Sequence, residues 1–243
     1  MIYQEFAELY DELFDPTMYE KWLDFVESNV NKNDNILDVA CGTGRLISLM
    51  INKNYNVSGL DMSSDMLTIA DNNLRKNNQN ANLIQGNMMD LSSFPEYQVI
   101  TCFDDSLCYL NDLQELKLAF ENAYHHLSNS GRYLFDVITP YQTDIVYPGY
   151  MYNFHDEDRA FMWTTYVGDE DHSVDHDLSF FNYNKELDAY DEFSELHHER
   201  TYDLDNYIDL LESVGFAKIS VSSNFGKDKI NETTTRWFFV CEK

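Results

Sequence analysis

Ile36-Leu37-Asp38-Val39-Ala40-Cys41-Gly42-Thr43-Gly44-Arg45 is the stretch of sequence from which the fold is predicted. The apolar residues at its start are typical of a buried β-strand, the small residues predict a turn, and apolar residues at helical spacing begin at Leu46. Glycines give such a turn left-handed backbone conformations and let a ligand approach the main chain. A strand that leads through a turn into a helix is how an open α/β sheet binds a ligand at its edge.

The next predicted strand indicates the kind of ligand. Residues 57–60 are mostly apolar and end at Asp61, where a carboxylate can accept hydrogen bonds from ribose hydroxyls. An adenosine-type cofactor is therefore predicted. The turn lacks the third glycine of the GxGxxG dinucleotide fingerprint. Asp38, just before the turn, would repel a diphosphate and attract an ammonium group, which favours a cationic amino-acid cofactor.

At this point the sequence resembles the class I S-adenosylmethionine-dependent methyltransferases, whose first motif is an acidic residue followed by GxGxG. Residues 37–44 match that motif, with Ala40 in the place of the first glycine. The resemblance implies S-adenosyl-L-methionine as the cofactor. It also implies an α/β fold, a Rossmann-like doubly wound seven-stranded sheet whose last strand is antiparallel.

Further cofactor contacts are predicted at the ends of the following strands. Met62 and Met66 offer soft, polarizable side chains to an adenine ring. In the family, an acid that contacts adenine takes the place of Asn87, so the resemblance implies that Asn87 binds the adenine edge. The candidate cofactor-binding residues are Asp38, Ala40, Cys41, Gly42, Gly44, Asp61, Met62, Met66, Asn87, Met88, Phe103 and Asp104.

The remaining pattern divides the chain into a core and an insertion. Residues 1–139 and 203–243 are predicted to form the cofactor-binding core, with an N-terminal helical segment over 2–30. From 140 to 202 aromatic and polar residues alternate, which predicts three antiparallel strands. This antiparallel insertion is either a substrate lid or the surface of a homodimer.

Charge limits the partners of the protein. The 243 residues include 43 acidic and 16 basic side chains, for a formal net charge of -27. Such a field repels phosphate backbones, so neither nucleic acid nor an anionic membrane is an expected partner. The same field favours a cationic cofactor and an amine substrate. The alternative is a host whose soluble proteins are generally acidic.

The compartment and the cysteines give a consistent expectation. No apolar run is long enough to span a bilayer and the first residues lack the pattern of a signal peptide, so a soluble, cytoplasmic protein is expected. The four cysteines are Cys41, Cys102, Cys108 and Cys241. No two of these cysteines have the CxxC spacing, so the sequence predicts neither a disulfide framework nor a metal site.

The candidates for a catalytic base are Tyr10, Asp104, Tyr109 and His197. Ala7-x-x-Tyr10-Asp11-x-x-Phe14 resembles the segment that lies over the cofactor in many small-molecule methyltransferases, which implies that Tyr10 reaches the site. Tyr109 follows the fourth strand, whose carboxyl end should edge the reaction chamber. Alternation along the strand Phe193-Ser194-Glu195-Leu196-His197 places His197 on one face with Glu195, which can orient or charge it.

The resemblance extends to the choice of acceptor. Residues 37–44, Tyr10-Asp11, residues 106–110 and residues 193–197 together look like the N,N-dimethyltransferases that act on nucleotide-linked amino sugars. A nitrogen of a small amine or amino sugar is thus the expected acceptor. A nucleotide carries a diphosphate, however, and the insertion offers few cations beyond Arg159, Lys185 and Arg200. Two alternatives stay open, a methyltransferase acting on a basic protein and a protein that binds S-adenosylmethionine without turnover.

Overall fold

Helices and strands alternate along the first half of the chain. The structure is a computed structural model that describes residues 16–243, so Tyr10 and the first part of the predicted helical segment lie outside the described residues. The helices are α1 (Pro16–Asn29), α2 (Arg45–Asn52), α3 (Ser64–Lys76), α4 (Leu113–His126) and α5 (Leu204–Val214). None of the helices within residues 16–243 combines the length and the apolar character needed to cross a membrane.

The strands belong to two sheets. In chain order they are β1 (Asn35–Val39), β2 (Asn56–Asp61), β3 (Asn82–Gln85), β4 (Tyr97–Cys102), β5 (Leu127–Ile138), β6 (Met151–His155), β7 (Arg159–Val167), β8 (Ser173–Asn184), β9 (Ala189–Arg200), β10 (Lys218–Ser222) and β11 (Arg236–Glu242). A 3-10 helix (Ser106–Tyr109) follows β4, and a π-helix (Gln142–Val146) follows β5.

The first sheet has seven strands in the order β10-β11-β5-β4-β1-β2-β3. β1 lies parallel to β2 on one side and to β4 on the other, whereas β11 runs antiparallel between β5 and β10. The chain order therefore reverses at β1, and open α/β sheets bind ligands at such a point, beyond the carboxyl ends of the strands. The predicted doubly wound sheet with an antiparallel last strand is confirmed.

Both faces of this sheet are buried, which explains the apolar run in β1. Neighbouring residues of a strand point to opposite faces. Ile36 and its partner Val99 pack with the side chains of α1 and α2. Leu37 and Ile100, one residue further along, pack with the side chains of α4 and α5. A helical layer on each side is what an alternating α/β chain requires.

One segment of turn-type sequence lies inside a strand. Residues 128–131, Ser-Asn-Ser-Gly, have a composition typical of a turn, but β5 begins at Leu127. Leu127 pairs with Tyr97 of β4, and a bulge then shifts the register so that Arg132 pairs with Val99. The turn residues thus form an irregular part of the strand, in which Ser130 takes a left-handed conformation with φ of 64°.

The second sheet is formed by residues 151–200, in the order β6-β7-β8-β9, with every pair antiparallel. It has four strands, so the prediction of three was wrong. The overlooked strand is β6, a short edge strand whose side chains are mostly exposed and which therefore lacks a clear alternation. Phe161, Leu178 and Phe180 of this sheet pack against Ile69 of α3. The second sheet is thereby fixed beside the carboxyl end of β2.

Candidate active site

The turn between β1 and α2 forms one side of the site. Ala40, Gly42 and Gly44 all have left-handed backbone conformations, with φ angles of 56°, 52° and 74°. This conformation costs a residue with a side chain about 1 kcal/mol, whereas glycine adopts it freely. No atom lies within 4 Å of the place where a Cβ of Gly42 would stand. The main chain at Gly42 is therefore open to a ligand.

Asp61, the last residue of β2, fixes this turn. Its Oδ2 accepts a hydrogen bond from the backbone N–H of Gly42 at 2.8 Å, and its Oδ1 accepts one from the backbone N–H of Ser63 at 2.8 Å. Burial raises the pKa of Asp61, and these hydrogen bonds to the charged form oppose that rise. Each carboxylate oxygen has a further lone pair. Asp61 can thus hold the turn and still accept hydrogen bonds from two ribose hydroxyls.

Two adjoining cavities, of about 430 Å³ and 390 Å³, lie beyond the carboxyl ends of the strands. Both are lined by Ala40, Asp61, Met62, Ser106 and Tyr109, so they are two halves of one site. Another cavity of about 450 Å³ lies at the amino ends of β1, β2 and β3, away from the glycine turn. The paired cavities have the size and place expected for an extended nucleoside cofactor.

Asp38 lines the larger half of the site from beneath the turn. It is buried, and its Oδ1 accepts a hydrogen bond from Thr101 Oγ1 at 2.6 Å. Burial raises the pKa of Asp38 to about 7, with a further contribution from the charge of Asp61, although the Thr101 hydroxyl opposes the rise. A carboxylate in this position is stabilised by a bound cation. Asp38 therefore fits the ammonium group of an amino-acid cofactor.

Tyr109 and His197, which also line the larger cavity, form a chain of three polar side chains with Glu195. The Tyr109 hydroxyl lies 3.1 Å from His197 Nδ1, and His197 Nε2 lies 2.6 Å from Glu195 Oε2. The carboxylate accepts from Nε2, which leaves Nδ1 to accept a hydrogen bond from Tyr109. Tyr109 is 47% exposed and borders both cavities. It is the member of the chain that an acceptor would meet.

Trp22 of α1 closes the larger cavity and is held by buried charges. Its Nε1 donates to Asp136 Oδ2 at 2.6 Å. Arg236 lies with NH1 at 3.1 Å from the same oxygen and with NH2 at 2.5 Å from Asp105 Oδ2. Burial opposes charge on Arg236, yet the carboxylates, that of Asp105 first, outweigh it and hold the pKa of the guanidinium well above its ordinary value. We call Asp105, Asp136 and Arg236 the ionic cluster.

Asp104 stands between the ionic cluster and the cavity. Burial raises the pKa of Asp104 to about 7, Arg236 opposes the rise, and the charges of Asp136 and Glu199 add to it. Asp104 and Asp105 both have left-handed conformations, with φ angles of 60° and 58°. Two strained residues in succession at the end of β4 need a surrounding structure that holds them there. The ionic cluster supplies that support.

The structure brings most of the predicted site residues together. Those that line the larger cavity are Asp38, Ala40, Cys41, Gly42, Asp61, Met62, Met66, Phe103, Asp104, Tyr109 and His197. Asn87 and Met88 line the smaller cavity. The Asn87 Oδ1 accepts from the backbone N–H of Met89 at 2.9 Å, so it also shapes the turn there.

Gly44 lines neither half of the site. A Cβ on Gly44 would stand 3.0 Å from the Cβ of Ala70. The glycine is thus needed where the start of α2 packs closely against α3, and because its φ is positive. Its predicted contact with the cofactor stays a prediction.

Sequence reasoning missed the support of the site. Trp22 falls within the predicted helical segment 2–30 but was not a candidate site residue, and neither Asp136 nor Arg236 was singled out. A signal existed, because Asp136 interrupts the apolar run 133–138 and Arg236 immediately precedes Trp237-Phe238-Phe239. A charge inside a buried strand requires a partner. The partner of such a charge depends on the pairing of β11 with β5, which cannot be predicted from local sequence pattern.

Comparison with known proteins narrows the class. Residues 36–131 match the family of methyltransferase domains. The chain is 33% identical to a Geobacillus sp. protein that is named as a methyltransferase, and the alignment covers 100% of both chains. The crystal structure of an S-adenosylmethionine-dependent methyltransferase from Clostridium acetobutylicum has a TM-score of 0.85 and 28% identity, covering 100% of this chain and 99% of that one.

A partial match concerns an enzyme with a named substrate. The chain is 36% identical to the dTDP-3-amino-3,6-dideoxy-alpha-D-glucopyranose N,N-dimethyltransferase of Streptomyces fradiae over 100 residues. These make up 41% of this chain and 38% of the relative. The match is thus confined to less than half of each protein.

The fold and the site define a protein that binds a nucleoside cofactor at the switch point of a doubly wound sheet. The relatives identify the cofactor and the chemistry. The chain belongs to the S-adenosylmethionine-dependent methyltransferases, and the cofactor predicted from the turn at Ala40 is confirmed. The described residues fit that cofactor, since Gly42 leaves room at the main chain, Asp61 can accept from the ribose, and Asp38 suits the ammonium group.

Asp61→Asn is expected to weaken binding of S-adenosylmethionine by about 1–3 kcal/mol, or roughly ten- to a hundredfold in Kd, because a charged acceptor of the ribose is lost. Calorimetric titration measures the change. Asp65→Asn is the matched control, since Asp65 is exposed in the first turn of α3 and lines neither cavity. Equal affinities of the two variants would remove Asp61 from the cofactor site.

Binding of S-adenosylmethionine is expected to weaken as pH falls below about 7, approaching tenfold per pH unit, because Asp38 must ionise to meet the ammonium group. Stability of the free protein should change in the opposite sense. The raised pKa values of Asp38 and Asp104 mean that the folded state binds protons more tightly than the unfolded chain, so stability falls as pH rises from about 4 to 7. Titration of wild type and Asp38→Asn with S-adenosylmethionine between pH 5.5 and 7.5 measures the pH dependence of binding. An equally steep dependence in the variant would contradict the predicted role of Asp38.

Proposed function

We propose that the protein transfers a methyl group from S-adenosylmethionine to a nitrogen of a small molecule, an amine or amino sugar. The observation that carries the proposal is the chain Glu195–His197–Tyr109 at the wall of the cofactor cavity. Nitrogen acceptors arrive protonated at neutral pH and must lose a proton before they react. The Streptomyces fradiae relative, whose name gives an amino sugar as its substrate, supports a nitrogen acceptor.

When bound, the cofactor would supply an electrophilic methyl group on a sulfonium, and in-line attack by the lone pair of an amine would form the N–C bond as the C–S bond breaks and the thioether leaves. The residues of this chain prepare that amine. Tyr109 accepts a proton from the ammonium group as its own hydroxyl proton passes to His197 Nδ1, 3.1 Å away. Glu195 stabilises the imidazolium that results, in the way that a third group orients and supports a base in other proton relays. Trp22 and Phe103 exclude water from the same cavity.

The second sheet takes part in this chemistry, and we assign it the role of a substrate lid. His197 and Glu195 lie on β9, which belongs to the second sheet and not to the cofactor-binding core. Phe193 points to the same face as these two residues and packs with Phe161, Leu178 and Phe180. A sheet that carries the base must lie over the acceptor for the reaction to occur.

Transfer of a labelled methyl group into a bacterial cell extract tests the proposal. The full-length protein is incubated with labelled S-adenosylmethionine and extract, and the products are separated by mass. Label in the low-mass fraction is expected, and a reaction without extract corrects for self-methylation. Label confined to the protein fraction would contradict a small-molecule acceptor. Cofactor binding without labelled product would contradict the methyl transfer itself.

A further inference from the structure

The charge around the site bears on the kind of amine that it takes. Among the described residues, 16–243, those lining the two cavities include no lysine and no arginine. They do include the carboxyl side chains of Asp38, Asp61, Asp104 and Glu115. Glu195, one step behind the cavity wall, adds another through His197. The walls of the site thus present an excess of negative charge to an entering molecule.

The cations of the second sheet are engaged elsewhere. Residues 151–200 contain the basic residues Arg159, Lys185 and Arg200. Arg159 binds Asp156 through Nε at 3.0 Å and NH2 at 2.8 Å, and Lys185 Nζ lies 3.4 Å from Asp158. The Arg200 guanidinium lies over the Tyr202 ring, 5.1 Å from its centroid. None of the three lines either cavity.

The segment before α1 contributes no cationic side chains either. Residues 1–15 lie outside the described part of the chain. Their sequence contains five carboxyl side chains and no lysine, arginine or histidine. Wherever this segment lies, its side chains bring no positive charge to a substrate.

Two arginines of the core lie near the site without lining it. The Arg45 guanidinium lies over the Tyr19 ring, 5.3 Å from its centroid. The charge of Arg236 is balanced by carboxylates. Its guanidinium binds Asp105 and Asp136, and Asp104 and Tyr147 also act on it. A diphosphate needs cationic side chains to offset its charge, commonly a bidentate arginine. The ionic cluster holds more carboxylates than guanidinium groups, so it offers no surplus positive charge to a phosphate.

We infer that the acceptor is a phosphate-free amine that enters the site as a cation, and not an amine attached to a nucleotide diphosphate. The inference rests on the proposed function and narrows its substrate class. Asp104 and the Tyr109–His197–Glu195 chain receive the ammonium group, and the negative walls that attract it repel a diphosphate. The proposed substrate class therefore differs from the nucleotide-linked sugar named for the Streptomyces fradiae relative. The alignment with that relative covers 41% of this chain.

The low-mass product of the labelling reaction is separated by charge at pH 7. Label retained on a cation exchanger, and unchanged by treatment with a nucleotide pyrophosphatase, is the expected result. Label retained on an anion exchanger and shifted by the pyrophosphatase would overturn the inference while leaving the proposed methyl transfer intact. Absence of labelled low-mass product from a protein that binds S-adenosylmethionine would instead overturn the proposed function.

A pair of charge variants tests the same inference by kinetics. With the cationic fraction of the extract as the acceptor, Asp104→Asn is expected to lower methylation at limiting acceptor about tenfold, because a neighbouring negative charge is removed. Asp177→Asn removes an equal charge from the exposed, outward face of β8 and is expected to leave the rate unchanged. A larger rate for Asp104→Asn than for wild type would show that the site selects against cations and would overturn the inference.

Discussion

Arg236→Met is expected to lower the free energy of unfolding by about 3–5 kcal/mol, which is the usual effect of removing one partner from a buried ion pair. Asp136 is fully buried and Asp105 nearly so, and both contact the Arg236 guanidinium. Without it, two carboxylates face each other in a region from which water is excluded. Urea unfolding followed by circular dichroism measures the loss.

The matched control is Lys218→Met, which removes an exposed ion pair with Glu242 on the neighbouring strand and should cost less than about 1 kcal/mol. The double variant Arg236→Met with Asp136→Asn should be more stable than Arg236→Met alone, because one of the unpaired charges is then absent. An asparagine oxygen can still accept from Trp22 Nε1. If Arg236→Met unfolds at the urea concentration of wild type, the ionic cluster does not stabilise the fold.

Much of the core could be predicted because local pattern and tertiary structure agree there. The apolar run at 36–39 is buried on both faces, the glycine turn has the left-handed conformations that its residues allow, and Asp61 ends its strand as expected. Such features depend on neighbours in sequence. A central parallel strand and its turn are therefore the part of this fold that the sequence determines most directly.

The second sheet was predicted less well because its edges depend on pairing partners. β6 is an exposed edge strand whose main chain is fixed by β7, so its own residues contain little pattern. The bulge at Tyr97 has the same origin, since Leu127 can continue β5 only because β4 lies beside it. Strand register and edges arise from contacts between distant segments, which periodicity does not report.

The site was predicted in the same uneven way. His197 and Glu195 were placed on one face by simple alternation, and the structure puts them 2.6 Å apart. Tyr109 was expected near the cavity, but its contact with His197 depends on how β9 lies against the 3-10 helix. Trp22 and Arg236 lie near opposite ends of the chain. They share Asp136 as a partner, and the guanidinium lies over the Trp22 ring, 5.9 Å from its centroid. No local signal relates residues so far apart.

His197→Ala is expected to lower kcat/KM for an amine acceptor about a hundredfold at neutral pH, which is the lower end of the range for loss of a general base. In the proposed relay His197 Nδ1 receives the hydroxyl proton of Tyr109, so without the imidazole Tyr109 could not accept a proton from the acceptor. Tyr109→Phe should have a similar effect. His198→Ala serves as the control, since His198 lies on the opposite face of β9 and binds Asp175.

The pH dependence separates catalysis by His197 from a structural role. As pH rises towards about 10, an alkyl amine loses its proton to water and no longer needs a base. The rate deficit of His197→Ala relative to wild type should therefore shrink, by up to about tenfold for each pH unit. A variant that merely disturbed the second sheet would remain slow at every pH. A constant deficit from pH 7 to 10 would thus show that His197 holds the site in shape and does not receive the proton.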